Sequence, residues 1–215
     1  MGTVLASRVI ERAQTILQDT TGVRWPADSE LLGWLNDGQR EIVLLKPNAY
    51  VKHSAHRLVA GAKQALPDDG VQMIDVVCNL GIAGSMPGRA VRIVERSVLD
   101  AQVPNWYASA PAAEVKHYCY SPLDPKTFYV YPPQPVVNQG FVELVYGANP
   151  ADATLTGPIT LDDIYQNVLV DYVLYRAFSK ESEAGDNQRA SLHRGAFEAA
   201  LNGKANGEAI VNPAA

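Results

Sequence analysis

The sequence contains few of the features that mark catalytic, secreted or membrane proteins. Its 215 residues include only two cysteines, Cys78 and Cys119, which are too few for the disulfide framework of a small secreted fold. No apolar run approaches the roughly 18 residues that cross a bilayer, and the first residues lack the pattern of a signal peptide. We therefore expect a soluble protein with two buried free thiols, made in the cytoplasm and without a membrane partner.

The charge balance gives no sign of a nucleic-acid-binding surface. Charged residues make up 19% of the chain, the formal net charge is -5, and no run of Lys or Arg occurs. Proteins that bind duplex DNA tightly do so with basic side chains that neutralise its phosphates. Tight, salt-sensitive DNA binding is therefore not expected.

Motifs that carry chemistry are also missing. The glycine-rich stretch from Gly81 to Gly88 lacks the Gly-x-Ser-x-Gly spacing of a nucleophile elbow and the spacings that surround phosphates, so we interpret it as a loop. His53 and His56 form the only suggestive metal-binding pair, and no third ligand lies nearby in the sequence. No catalytic residue, metal ligand or cofactor is predicted.

Apolar residues recur at helical spacing near both ends of the chain. This spacing predicts helices from about Val4 to Asp19 and from about Ser29 to Lys46, and helical spacing returns from Leu161 with a break near Gly185. Gly38 lies inside the second helix, where a glycine costs up to about 1 kcal/mol and indicates close helix packing. The predicted core stripe of that helix consists of Leu31, Trp34, Leu35, Gly38, Ile42 and Leu45.

Between Tyr50 and Gly147 the pattern changes to short alternating segments separated by prolines and glycines. Turn residues at Ser121 to Pro125 predict a hairpin from Glu114 to Tyr131. The predicted strands are 56–60, 64–66, 73–80, 91–95, 114–120, 127–131 and 141–146, with a short helix near 97–102.

These segments together predict an α+β fold. We expect residues 1–50 and 151–202 to form an α-helical bundle and residues 51–150 to form a β-rich insertion. Residues 203–215 show neither period and are predicted to form a flexible C-terminal tail.

Several segments carry a family likeness. The stretch Leu17-Gln-Asp-Thr-Thr-Gly-Val-Arg-Trp25, followed by Glu30-Leu-Leu-Gly-Trp-Leu-Asn-Asp-Gly-Gln-Arg-Glu-Ile42, resembles the opening of tailed-bacteriophage head-to-tail adaptor (connector) proteins. That family is similar in plan to the tail tubular protein A of short-tailed phages. Further matching segments are Leu58-Val-Ala-Gly-Ala-Lys-Gln-Ala-Leu-Pro67, Asp124-Pro-Lys-Thr-Phe-Tyr-Val-Tyr-Pro-Pro133 and Val170-Asp-Tyr-Val-Leu-Tyr-Arg-Ala-Phe-Ser-Lys180.

The resemblance implies a structural virion protein rather than an enzyme. It implies a homo-oligomeric ring of about twelve copies, located between the portal protein and the tail or nozzle protein and lining the channel for double-stranded DNA. A mildly acidic lumen suits DNA ejection, because a surface that does not neutralise phosphates does not hold the duplex.

The C-terminal segment is the candidate docking site. We hypothesise that residues 204–215, including Lys204 and Pro213 and with Ile210 and Val211 as apolar anchors, dock on the portal or on a neighbouring subunit.

Three other functions stay open at this stage. Another phage collar or head-completion component differs from an adaptor only in its partner. A virion-associated cell-wall hydrolase would need an acid and base pair that the sequence does not identify, and a DNA-binding regulator is disfavoured by the charge balance.

Overall fold

A computed structural model describes residues 2–180 and 185–211, with side chains described as far as Gly203. Within these residues the helices are α1 (Ala6–Leu17), α2 (Leu32–Leu45), α3 (Arg96–Gln102), α4 (Gln166–Ser179) and α5 (Asn187–Val211). The strands are β1 (Val51–Arg57), β2 (Gly61–Ala65), β3 (Gly70–Asn79), β4 (Arg92–Ile93), β5 (His117–Tyr120), β6 (Thr127–Gln134) and β7 (Phe141–Ala148).

The chain divides into two compact units. Residues 1–50 and 150–215 form one of them, here called the helical unit, and residues 51–149 form the other, here called the β unit. The predicted α+β class is confirmed, because the terminal helices pack together while the central part of the chain forms the sheets.

Helix α4 is the centre of the helical unit and packs against α1, α2 and α5. Apolar side chains are buried around most of its circumference, including Leu169, Val173 and Leu174, as expected of a helix that is covered by neighbours on several sides. The α2–α4 contact is close, since a Cβ atom added to Gly38 would lie 2.8 Å from Cδ1 of Tyr172. The close packing predicted at Gly38 is therefore confirmed.

The turn between α1 and α2 is organised by Asp19. Its carboxylate accepts hydrogen bonds from the backbone N–H groups of Val23, Arg24 and Trp25, at 3.1, 2.8 and 2.9 Å. The bond from Trp25 contributes most to holding the pKa of Asp19 below its ordinary value of 3.8, and burial opposes it. A π-helical turn over Ala27–Leu31 then leads into α2.

Two buried amide side chains on α2 attach the segment that precedes α4. Asn36 accepts from the N–H of Ala153 and donates to its carbonyl, at 2.9 and 3.2 Å. The side-chain oxygen of Gln39 accepts from the N–H groups of Thr160 and Leu161, at 2.7 and 3.2 Å. These bonds join parts of the chain that are more than a hundred residues apart.

The β unit contains two sheets. The first has the strand order β1-β7-β3 and is antiparallel, and the second has the order β2-β6-β5-β4, with β4 parallel to β5. Strands β5 and β6 pair antiparallel, with Tyr120 opposite Phe128, so the hairpin predicted within residues 114–131 is present.

Buried side chains lie on both faces of the second sheet. Tyr118 and Phe128 reach towards the first sheet, where the Tyr118 hydroxyl donates to Asp75 at 2.7 Å. On the other face, Leu99 of α3 and Trp106 pack with Cys119. Both cysteines are free, Cys119 is buried as expected, and Cys78 is only half-buried.

The structure differs from the sequence-based expectation at two places in the helical unit. Leu45 was expected in the core but is exposed, because the last turn of α2 buries Ile42 and Val43 and leaves Leu44 and Leu45 on its outer face. Helix α5 continues through Gly203 to Val211, where an irregular tail was expected. A helix already packed over residues 190–201 propagates at little cost through the alanines of this segment, despite Gly203 and Gly207.

Candidate interaction surfaces

The C-terminal helix is firmly seated along its first half. Phe197 of α5 is fully buried and packs against Tyr172 of α4, with ring centroids 5.2 Å apart. Arg194 donates to Glu41 of α2 at 3.1 Å and to Glu198 at 2.6 Å. These contacts fix the direction of α5 relative to α2 and α4.

The second half of α5 extends past these contacts. Helix α5 has 25 residues and α4 has 14, so at about 1.5 Å per residue the two helices differ in length by roughly 16 Å. Leu201 and Asn202 line a cleft of about 200 Å³ together with Leu45 and Lys46 at the end of α2. The residues after Asn202 continue α5 to Val211.

Three of the four predicted docking residues lie in this extension. Lys204, Ile210 and Val211 belong to the backbone of α5, and their side chains lie outside the described part of the structure. Pro213 lies outside the described residues altogether. The docking role of these four residues stays a prediction.

A second surface lies at one end of the β unit. Three loops connect strands there: residues 58–60, 81–88 and 135–140, here called the distal loops. They lie opposite the end that holds Val51 and Ala148, because β1 pairs with β7 from Val51 opposite Gly147 to Arg57 opposite Phe141. Backbone hydrogen bonds join the loops where Leu58 N–H donates to Gly140 and Phe141 N–H donates to Gly81, at 3.0 and 2.8 Å.

Buried amide side chains hold these loops in place. Gln64 accepts from the N–H of Val59 at 2.7 Å and donates to its carbonyl at 2.8 Å. Asn79 donates to the carbonyls of Arg89 and Val115, at 2.9 and 2.8 Å. Gln134 accepts from Gly140 N–H at 2.8 Å and donates to the Ala112 carbonyl at 2.9 Å. These buried side chains therefore hold the backbones of the distal loops in place.

A glycine contact adds to this rigidity. Gly84 adopts a φ of +74°, and a Cβ atom at this position would lie 2.9 Å from Cδ1 of Phe141. The ring of Phe141 thus supports the middle of the loop at 81–88 in a conformation that favours glycine.

The tips of the distal loops are apolar and exposed. Each contributes at least one large apolar side chain that is more than half exposed, with Val136 at 82% and Met86 at 72%. The exposed set consists of Val59, Ile82, Met86, Val136 and Val137. Clusters of exposed apolar side chains on soluble proteins commonly mark interaction sites.

The two units differ in charge. Residues 1–50 and 150–215 contain 15 of the 23 acidic residues and 10 of the 18 Lys and Arg, whereas residues 51–149 contain eight of each. The net charge of -5 thus belongs to the helical unit, and the β unit is neutral. The distal loops themselves contain no carboxylate.

Basic side chains lie beside the distal loops. Arg57 donates to Gln139 at 3.0 Å, and Arg89 lies 3.9 Å from Glu114. Burial, together with Arg89, Arg92 and Lys116, holds the pKa of nearby His117 below its ordinary value of 6.5. Burial therefore favours the neutral form of His117, and Arg and Lys supply positive charge at this end.

Comparison with models of known protein families identifies the family of the chain. The SU10 adaptor protein family matches residues 5–214, which is nearly the whole chain. The chain belongs to the SU10 adaptor protein family. The resemblance to phage adaptors seen in the sequence is thus confirmed at the level of the family, and the protein is a structural adaptor of a phage. No curated protein matches the chain.

Features of other site classes do not stand out in the described part of this adaptor. Among those residues, no group of three or more His, Cys, Asp or Glu could hold a metal ion. No helix within the same ranges is long and apolar enough to cross a membrane. His53 lies 3.6 Å from Glu143 of the neighbouring strand, and His193 lies 2.9 Å from Asp171.

Sequence reasoning missed the distal loops as a surface. The available signal was the position of large apolar residues inside Gly- and Pro-containing loops, such as Met86 before Pro87 and Val136 after Pro135. The buried amides Gln64, Asn79 and Gln134 gave no signal, because glutamine and asparagine are usually exposed.

Proposed function

We propose that this protein is the head-to-tail adaptor of a tailed-phage virion. In this role about twelve copies form a ring between the portal protein and the tail or nozzle protein, similar in plan to tail tubular protein A, and DNA passes through the ring. Membership of the SU10 adaptor family is the observation that carries this proposal.

The seating of α5 supports a docking role for the C-terminal segment. Phe197 and Arg194 fix the first half of the helix, and the helix continues through residues 203–211. We propose that Ile210 and Val211 insert into the portal or a neighbouring subunit, with Lys204 and Pro213 in the same contact. A pre-formed helix lowers the ordering cost of such docking relative to a disordered tail.

The charge distribution supports free passage of DNA. With its negative charge in the helical unit and no run of basic residues, the protein is expected to bind duplex DNA weakly at physiological salt. Fluorescence anisotropy of a labelled duplex tests this. Micromolar or tighter binding at about 0.15 M salt would instead favour a DNA-binding regulator.

A structural role also predicts that the protein does not cleave peptidoglycan. A zymogram on peptidoglycan tests this directly, and a cleared band at the position of the purified chain would favour the cell-wall hydrolase.

Binding to the portal protein of the same phage tests the docking proposal. We expect Ile210→Ser with Val211→Ser to weaken binding to the immobilised portal at least about tenfold, because two apolar anchors are lost. The matched control is Ala205→Ser with Ala209→Ser, which alters the same helix without removing large side chains. Equal binding by the Ile210/Val211 variant and the full chain would contradict the docking role. A full chain that did not bind the portal at all would favour another collar component.

A further inference from the structure

The distal loops combine three properties that ordinary surface loops do not share. Their tips present five large exposed apolar side chains, their backbones are held by buried amides, and they contain no carboxylate. Exposed apolar groups are costly in water, and a rigid loop loses little entropy on binding. The surface is therefore pre-organised for a protein contact.

The charges of the two units indicate which protein surface the distal loops can bind. Arg57 and Arg89 border the distal loops, where Arg57 donates to Gln139 and Arg89 lies 3.9 Å from the carboxylate of Glu114. The helical unit holds all of the net negative charge and also exposes Leu44, at the end of α2, and Leu192, on α5. An apolar surface bordered by cations therefore complements the helical unit of another copy.

Ring assembly requires such a pair of unlike surfaces. A closed ring is built from heterologous contacts, in which one patch of each subunit binds a different patch of the next. We propose that the distal loops form the contact between adjacent subunits of the ring, seated on the helical unit of a second copy. This proposal rests on the adaptor function and adds the surface through which the copies join.

Substitutions at the loop tips test the contact. Because the tips are exposed, Val136→Ser with Val137→Ser is expected to leave the fold intact, which circular dichroism can verify. When the portal ring is titrated with the full chain, its binding positions are expected to become occupied cooperatively. The variant is expected to occupy them without cooperativity, and the protein concentration at half occupancy is expected to rise about tenfold or more. Filling by the variant that matched the full chain would overturn the proposal.

Leu123 provides a matched control. It is a large apolar residue, 96% exposed, in the loop between β5 and β6. This loop lies at the opposite end of the β unit, where the N–H of Met73 donates to Pro125 at 3.2 Å. Leu123→Ser is expected to assemble like the full chain, and an equal loss by this variant would mean that the distal loops have no special role.

Photocrosslinking identifies the occupant. With p-benzoylphenylalanine incorporated at Val137 or Met86, the portal-bound ring is expected to yield crosslinks between two copies of the chain, at residues of the helical unit. Crosslinks to the portal or to the tail protein, or none in a filled ring, would overturn the proposal.

The outcomes separate this proposal from the adaptor function. If the full chain fails to join the portal, both fail together. If the full chain fills the portal and the loop variant fills it equally well, the adaptor function stands and the subunit contact is wrong.

Discussion

The helical unit and the β unit both bury amide side chains, but they use them for different purposes. On α2, Asn36 and Gln39 bond to backbone groups more than a hundred residues away and so attach the second half of the chain to the first. In the β unit, Gln64 and Gln134 bond to groups three to 22 residues away. The amides of α2 thus connect distant parts of the helical unit, whereas the amides of the β unit hold the distal loops.

This comparison teaches that similar chemistry has consequences set by chain topology. The helical unit is assembled from both ends of the chain, so loss of a contact there removes a link on which the whole unit depends. The β unit is continuous in sequence, and its strands are connected by short loops. Substitutions in the helical unit should therefore reduce global stability most, whereas those in the β unit should change local order and assembly.

The largest effect is expected for the aromatic contact between α5 and α4. Phe197→Ala removes a fully buried ring that packs on Tyr172, and we expect a loss of about 3–5 kcal/mol in the free energy of unfolding. Urea denaturation measures the loss. Leu192→Ala, an exposed position on the same helix, is the control and should change stability little.

The next largest effect is expected at the chain-closing amide. Gln39→Leu leaves the part-buried N–H of Thr160 and the buried N–H of Leu161 without their acceptor, which should cost about 2–4 kcal/mol. Gln188→Leu changes the same residue type at an exposed position of α5 and should be close to neutral. Equal stability of Gln39→Leu and the unmodified chain would show that Gln39 does not close the unit.

A smaller and more local effect is expected in the β unit. Gln134→Leu removes the acceptor of Gly140 N–H and the donor to Ala112, so we expect a loss of about 1–3 kcal/mol. Hydrogen exchange should become faster at Gly140 and in the distal loops, while α4 keeps its protection. Uniformly faster exchange across the helical unit would contradict the local role, and the exposed Gln102→Leu serves as control.

The smallest effect concerns pH. Because backbone bonds from Trp25 and its neighbours lower the pKa of Asp19 in the folded protein, its stabilisation is present above the ordinary pKa of 3.8. That stabilisation is lost as the pH falls through the lower, folded-state pKa. Asp19→Asn should therefore lower the melting temperature at pH 7, and the difference should shrink in acid.

Two comparisons make the pH experiment decisive. Asp163, whose pKa is lowered mainly by the hydroxyl of Thr3, remains in the variant, so some acid sensitivity should persist. Asp28→Asn replaces an exposed carboxylate in the same region and should leave the profile unchanged. A pH-independent difference for Asp19→Asn would contradict the carboxylate's role.

The sequence predicted the elements better than the contacts between them. Helical spacing located α1, α2 and α4, and alternation located most of the strands, because both patterns report which face of an element is buried. The strand predicted at 56–60 was wrong, since β1 is Val51–Arg57 and residues 58–60 form a loop. Gly38 was identified as a close contact because glycine destabilises a helix interior unless close packing requires it. The ring of Tyr172 packs against this position.

The errors arose where pattern and burial diverge. Leu45 fits the apolar stripe of α2 but is its last residue, where it is 53% exposed and lines a cleft with Leu201 and Asn202 of α5. Gln39 and Gln134 are polar residues, yet they are buried, because their side chains form hydrogen bonds with backbone groups elsewhere in the chain. The extension of α5 was missed because its glycines weaken the helical pattern in the sequence. A helix that is already packed nevertheless propagates into such a segment at little cost.

The mass of the assembly formed with the portal protein of the same phage is the most direct test of the adaptor function. Native mass spectrometry should show the portal ring gaining about twelve chains of 23.3 kDa each. A correctly folded portal that gains no mass in the presence of excess protein would contradict the adaptor function.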